Sequence, residues 1–102
     1  MKHVDTRETG ESFDVVGGTE RSQAATMSLD PGQSTGGPEN RHGNADQWLY
    51  VVSGEGSAVV DGESAALEPG SLVCIEAGET HEITGEGDDP LRTVNVYAPP
   101  TY

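Results

Sequence analysis

The residues of this chain that could do chemistry are few: three histidines, one cysteine and one lysine, set among 18 Asp and Glu. His3 lies in a polar opening stretch and reads as an exposed residue without a role. His42 and His81 differ from it, because each stands at the boundary of an expected strand, 39 positions apart in sequence. Neutral imidazoles converging from different strands are a common start to a metal site, since nitrogen donors suit Fe, Mn, Co, Ni, Cu and Zn alike. Taken alone, the pair fits two structural histidines better than a metal site. Cys74, within Leu72-Val73-Cys74-Ile75, reads as a small buried hydrophobe, and a lone cysteine forms no intramolecular disulfide. No Ser, Cys or Lys stands in a nucleophile setting, which leaves covalent catalysis without support.

The elements that must position these residues read as strands throughout. Residues 23–29 alternate, with Ala25, Met27 and Leu29 on one face, and stop at Asp30-Pro31-Gly32. Residues 47–53 are the most β-like stretch, rich in aromatic and β-branched side chains. Residues 56–60 and 63–67 flank Asp61-Gly62, a dipeptide suited to a two-residue hairpin turn. Further strands are expected over 71–76, 81–84 and 91–98, separated by turns rich in Gly, Pro and acids. Helical periodicity is not sustained anywhere, and turn signals recur at the rhythm of an antiparallel sandwich or barrel. Residues 1–22 form a polar arm whose one strand-like run is 13–16, and 23–102 form the barrel domain.

Two of the expected strands are apolar on both faces. Gln47, Leu49 and Val51 face one way, and Trp48, Tyr50 and Val52 the other; Thr93, Asn95 and Tyr97 likewise oppose Val94, Val96 and Ala98. In so small a domain, a strand covered on both sides predicts packing against a second sheet or a partner subunit, and we expect a homodimer. For Trp48, packing within one chain is the competing expectation.

Composition limits the classes of function. Leu, Ile, Val and Phe total 18 of 102 residues and the formal net charge is −13, which by themselves describe a disordered segment. The strand pattern overrides that reading by concentrating the few large apolar residues where they can meet. The acid excess is unfavourable for nucleic acid or anionic lipid, whose binding needs basic neutralisation. Apolar runs are too short to span a bilayer and the first residues lack a signal-like stretch, so a cytoplasmic protein is expected. A single lysine among so many acids also resembles proteins of extreme halophiles and suggests a halophilic origin.

The arrangement around the two histidines resembles the cupin family. The family's first motif runs Gly, five residues, His-x-His, three or four residues, Glu, six residues, Gly. Its counterpart here ends at Gly54, which places Gln47 at the Glu position, His42 at the second His and Asn40 at the first. The second motif runs Gly, five residues, Pro-x-Gly, two residues, His, three residues, Asn. It is matched from Gly70 to Gly85, with Gly78 and His81 in register, Glu76 replacing the Pro and Gly85 the Asn. The resemblance implies an all-β, double-stranded β-helix (cupin/jelly-roll) barrel of antiparallel strands with negligible helix.

It further implies a divalent transition metal (Fe, Mn, Ni, Co, Cu or Zn) at the barrel mouth. His42 and His81 would be nitrogen ligands, Gln47 an oxygen ligand and Asn40 a possible fourth. The implied function is oxygenase or isomerase chemistry on a small polar metabolite, or else non-catalytic binding of a small ligand with a weak or absent metal site. Gln for Glu and Asn for His weaken the donor set, and an amide cannot act as a proton acceptor near neutral pH. A hydrogen bond from Gln47 to His42 or His81 is the structural alternative to metal ligation. Glu39 and Asp46 flank the ligand positions and could restore charge, although both read better as solvated loop acids. Arg41 beside the mouth would neutralise Glu39 or meet an anionic ligand.

Overall fold

The computed structural model describes residues 1–8, 12–36 and 43–102. These form a three-residue 3-10 turn at Thr6–Glu8 and eight strands: β1 (Phe13–Gly18), β2 (Gln23–Leu29), β3 (Asp46–Ser53), β4 (Glu55–Val60), β5 (Glu63–Leu67), β6 (Leu72–Ile75), β7 (His81–Glu86) and β8 (Leu91–Ala98). They build a five-stranded sheet, β1-β2-β8-β3-β6, and a three-stranded sheet, β5-β4-β7. Every pairing is antiparallel. The result is the all-β two-sheet jelly roll expected from the turn rhythm, with strand bounds shifted by one or two residues at several ends. Strand β1 pairs with β2 from Phe13 opposite Met27 to Gly18 opposite Gln23, and its register shifts between Val15 and Gly17.

Turn chemistry explains the hairpin joining β4 to β5. Asp61 and Gly62 both take positive φ, 46° and 82°, the backbone that a two-residue turn between twisted strands requires. The Asp61 carboxylate also accepts hydrogen bonds from the Thr80 backbone N–H at 2.8 Å and the Thr80 hydroxyl at 3.0 Å, tying the hairpin to the turn that enters β7. Gly54, at φ 81°, joins β3 to β4. A Cβ there would run into the backbone of Pro90 and Leu91, so this crossing needs the residue without one.

The core lies between the inner faces of the two sheets. Alternation along β3 buries Gln47, Leu49 and Val51 and exposes Trp48, Tyr50 and Val52. The expected inward triad of β2, Ala25, Met27 and Leu29, is buried as well. Met27, Leu29, Leu49, Val51, Ala58, Leu67, Ile75, Ile83 and Leu91 form one apolar cluster, while Ala25, Ala45 and Tyr97 form a separate small one. On β8 the buried parity is the more polar one: Thr93, Asn95 and Tyr97 point inward and Val96 outward.

The outer faces of the two sheets differ. The three-stranded sheet carries Glu55, Glu82 and Glu86 outward, with the Ser57 hydroxyl donating to Glu86 at 3.2 Å. The five-stranded sheet instead presents Trp48, Tyr50, Val52 and Leu72, exposed by 47, 46, 48 and 60 %. The chain's own second sheet packs on the opposite, inner face, so packing within one chain leaves this outer face half open. Cys74 is on that outer face too, half-buried rather than the core residue expected from its neighbours. Burial, and then the carboxylates of Asp46, Glu76 and Glu79, push its thiol pKa up, so it is held as the unreactive thiol.

Candidate functional site: the polar end of the barrel

Each strand carries its inward residues in layers, and the layer at one end is polar. In the five-stranded sheet, Gln47 of β3 pairs with Tyr97 of β8 on one side and Ile75 of β6 on the other. In the three-stranded sheet the inward residue at the start of β7 is His81, opposite Val60 of β4. Gln47 and His81, each 3 % exposed, thus belong to different sheets and line one cavity of about 180 Å³. Its other walls include Phe13, Met27, Leu29, Gln33, Thr35, Ile83, Tyr97 and Tyr102. The described lining contains no Asp, Glu, Lys or Arg.

Strand parity is what turns Gln47 inward. It shares its face with Leu49 and Val51, and a register slip to expose it would expose them too. The consequence is a buried amide whose Oε1 accepts no hydrogen bond from the described residues. Leaving such an acceptor unmatched costs about 1–3 kcal/mol. Gln47 Oε1 thus makes no hydrogen bond to His81, and His42, the other partner expected for this amide, lies outside the described residues.

A chain of hydrogen bonds runs from the core to the cavity along β8. The Thr93 hydroxyl donates to Asn95 Oδ1 at 2.9 Å, and Asn95 Nδ2 donates to the Tyr97 hydroxyl at 3.4 Å. A further side-chain hydrogen bond links Tyr97 to Tyr102. Burial, and next the proximity of Tyr102, hold the Tyr97 phenol far above the usual tyrosine range, so it remains protonated and acts as a donor. The Tyr102 ring stands 4.8 Å from that of Phe13 and 5.0 Å from that of Tyr97. The Gln23 amide fixes the backbone beneath it, accepting from Thr101 N–H at 3.2 Å and Tyr102 N–H at 2.9 Å and donating to the Tyr102 carbonyl at 2.9 Å.

Of the four residues singled out as metal ligands, Gln47 and His81 are brought together, and His42 and Asn40 lie outside the described residues, as do Glu39 and Arg41. Asp46 is turned away from the cavity: it is exposed, and its carboxylate accepts from Ala77 N–H at 2.9 Å. Among the described residues, no three His, Cys, Asp or Glu side chains gather closely enough to hold a metal ion. Sequence reasoning missed the aromatic wall of Phe13, Tyr97 and Tyr102 and the Thr93-Asn95 pair. The signal for the latter was present, since polar residues recur at every second position opposite Val94 and Val96. Gly85, which replaces the motif's Asn, also gains a reason: a Cβ there would lie 2.7 Å from the Asp30 carbonyl oxygen and 2.8 Å from that of Leu29. An asparagine would require the backbone to move.

These features define a small jelly-roll barrel with a ligand-sized cavity at one end. The Cupin_2 family model, a cupin domain, matches residues 25–97, and the chain belongs to that family. Among solved structures it is similar to TT1209 from Thermus thermophilus, at 27 % identity and a TM-score of 0.86, covering 97 % of this chain and 98 % of that one. It is also similar to BH2720 from Bacillus halodurans (23 %, TM-score 0.88, covering 95 % and 76 %) and to KdgF from Halomonas sp. (26 %, TM-score 0.77, covering 86 % and 79 %). A comparison with curated proteins finds no match. These likenesses lend no support to the halophilic origin suggested by the acid excess. No helix of the described residues is long and apolar enough to cross a membrane.

Proposed function

We propose that the polar end of the barrel binds a small, uncharged polar molecule at a divalent transition-metal centre, with His81 and Gln47 as two ligands and His42 and Asn40 completing the set. The observation that carries this reading is the buried, unmatched Gln47 Oε1 in the same cavity as His81. An unmatched oxygen beside an imidazole is a donor pair for a late transition metal; all-oxygen cages suit Mg²⁺ and Ca²⁺ better. When bound, such an ion would act as a Lewis acid on a carbonyl or hydroxyl of the ligand, the chemistry shared by oxygenases and isomerases of small metabolites. The chain's own groups then shape the ligand's surroundings: the Tyr97 and Tyr102 hydroxyls, hydrogen-bonded to each other, and the Phe13 ring line the cavity. The lack of a basic residue in the described lining, on a chain of net charge −13, disfavours anionic ligands.

The test is elemental analysis of the purified protein together with His42→Ala, His81→Ala and Gln47→Leu variants. Stoichiometric metal in the parent that disappears in both histidine variants supports the centre; folded, metal-free parent protein overturns it. A second reading, non-catalytic ligand binding, is favoured by one observation: the described lining offers no carboxylate as a general base. Oxygen uptake with a panel of diketones and thiols, and sugar isomerisation assays, separate the two. Turnover that depends on bound metal rejects the binding-only reading.

A further inference from the structure

The cavity at the polar end is not polar throughout, and the distribution of its walls describes the molecule it takes. Its volume is about 180 Å³, and an apolar cavity of about 150 Å³ holds one benzene ring. Phe13, Met27, Leu29 and Ile83 contribute apolar surface, and the Tyr97 and Tyr102 rings add to it. The aromatic rings are inclined rather than stacked, by 52° between Phe13 and Tyr102 and by 72° between Tyr97 and Tyr102. Rings set in this way can take a further ring edge-to-face. Phe13 and Tyr102 are exposed and Tyr97 is buried, so the first two are the outer part of this wall.

Much of the polar lining is already committed within the barrel. Gln33 Oε1 accepts from the Asp30 backbone N–H at 3.0 Å, and the Thr35 hydroxyl oxygen accepts from the Ile83 backbone N–H at 3.0 Å. The Tyr97 hydroxyl accepts from Asn95 Nδ2 and is hydrogen-bonded to Tyr102. Gln47 Oε1, which shares the lining with His81, accepts nothing from the described residues. Open hydrogen-bonding capacity is therefore concentrated at the Gln47 end. A ligand with hydroxyls on every side would bury several of them against groups that are already paired, losing roughly tenfold in affinity for each.

We propose that the ligand is a compact, neutral molecule built on a single ring, with one hydroxyl or carbonyl directed to the Gln47 and His81 end and its other edges against the aromatic and aliphatic wall. This ligand class rests on the polar end being the binding site proposed above, and it requires no particular metal there. Phe13 and Tyr102 set the preference for a ring.

Isothermal titration calorimetry with phenol, cyclohexanol and myo-inositol tests this, with the metal content of the same preparation measured alongside. Phenol and cyclohexanol should bind one to one, roughly tenfold or more tightly than myo-inositol, which carries a hydroxyl on every carbon of its ring. Phenol should also shift the Gln47 side-chain amide resonance in NMR spectra. Phe13→Ala and Tyr102→Ala should each weaken phenol binding by about tenfold with an unchanged circular dichroism spectrum, because both side chains are exposed. Phe13→Leu, which restores apolar surface, should bind cyclohexanol more tightly than Phe13→Ala does. No binding of phenol, myo-inositol bound as tightly as cyclohexanol, or both alanine variants binding phenol like the parent would overturn this ligand class, and a metal found in that protein would still support the metal centre. Phenol bound at the Gln47 amide of a metal-free protein would do the reverse, supporting the ligand class and overturning the metal centre.

Discussion

The two ends of the barrel interior are built on the same strands, by the same alternation, and differ in chemistry. At one end β3 supplies Leu49 and Val51 and β8 supplies Leu91, all within one apolar cluster. At the other end β3, β7 and β8 supply Gln47, His81 and Tyr97, around a cavity of about 180 Å³. Both sets have inward parity and are almost fully buried. Burial and periodicity therefore do not separate scaffold from site here; position along the strand does. The apolar end closes on itself and supplies stability, and the polar end holds side chains that a packed core would replace.

The comparison predicts that truncation at the closed end is the most costly change. Leu49 has no exposed surface and sits within the main cluster. Leu49→Ala should lower unfolding free energy by about 2–5 kcal/mol, through lost transfer energy and the cavity left behind. Urea denaturation measures it, and a cost below about 1 kcal/mol would mean that this end is not close-packed.

Next in size is the boundary between the ends, where Asn95 is fully buried beside Ala25 and Leu49. Asn95→Ala removes the acceptor of the Thr93 hydroxyl and should cost about 1–3 kcal/mol, the penalty of an unmatched buried donor. The Thr93→Val, Asn95→Leu pair removes both partners and should cost less than the sum of the singles. A double-mutant cycle with no coupling would show that the hydrogen-bond chain is incidental.

The apolar interior was legible in the sequence because it rests on alternation alone: residues 23–29 and 47–53 assign Met27, Leu29, Leu49 and Val51 to one interior without knowledge of their partners. Gln47 and His81 were legible through the motif spacing and were made plausible by the parity of Gln47. What the sequence concealed depends on contacts distant along the chain. Phe13 and Tyr102 are at opposite ends of the chain and meet with ring centroids 4.8 Å apart; no local pattern records that. The inward parity of β8 was also hidden, because both of its faces hold residues that can be buried and only its pairing with β2 and β3 decides between them.

Tyr97 tests the open end by pH. Its folded-state pKa is raised, first by burial, from the ordinary value of 10.0, and that of Tyr102 is raised by burial as well. Below about pH 10 both folded and unfolded tyrosines are protonated and contribute no pH dependence. Above it the unfolded chain ionises first, so stability should fall as pH rises, by up to about 1.4 kcal/mol per pH unit for one such group. Tyr97→Phe should cost about 1 kcal/mol at neutral pH and flatten the alkaline decline in urea midpoints. An unchanged alkaline slope would show that Tyr97 ionises as readily folded as unfolded.

The smallest effect on stability is expected at Gln47, and it separates the two ends most sharply. Leucine is close in volume to glutamine and would extend the apolar stripe of Leu49 and Val51 by one layer toward Ile75, its neighbour across the pair. Because Gln47 Oε1 has no hydrogen-bond partner among the described residues, Gln47→Leu should leave stability unchanged or raise it by up to about 1 kcal/mol, while weakening metal or ligand binding at His81. Thermal unfolding of the metal-free protein measures the first effect and elemental analysis the second. If the substitution instead destabilises the apo protein as much as Leu49→Ala does, the amide is already satisfied by the barrel itself. Gln47 would then belong to the scaffold, and the division between a closed, stabilising end and an open, binding end would fail at the residue on which it most depends.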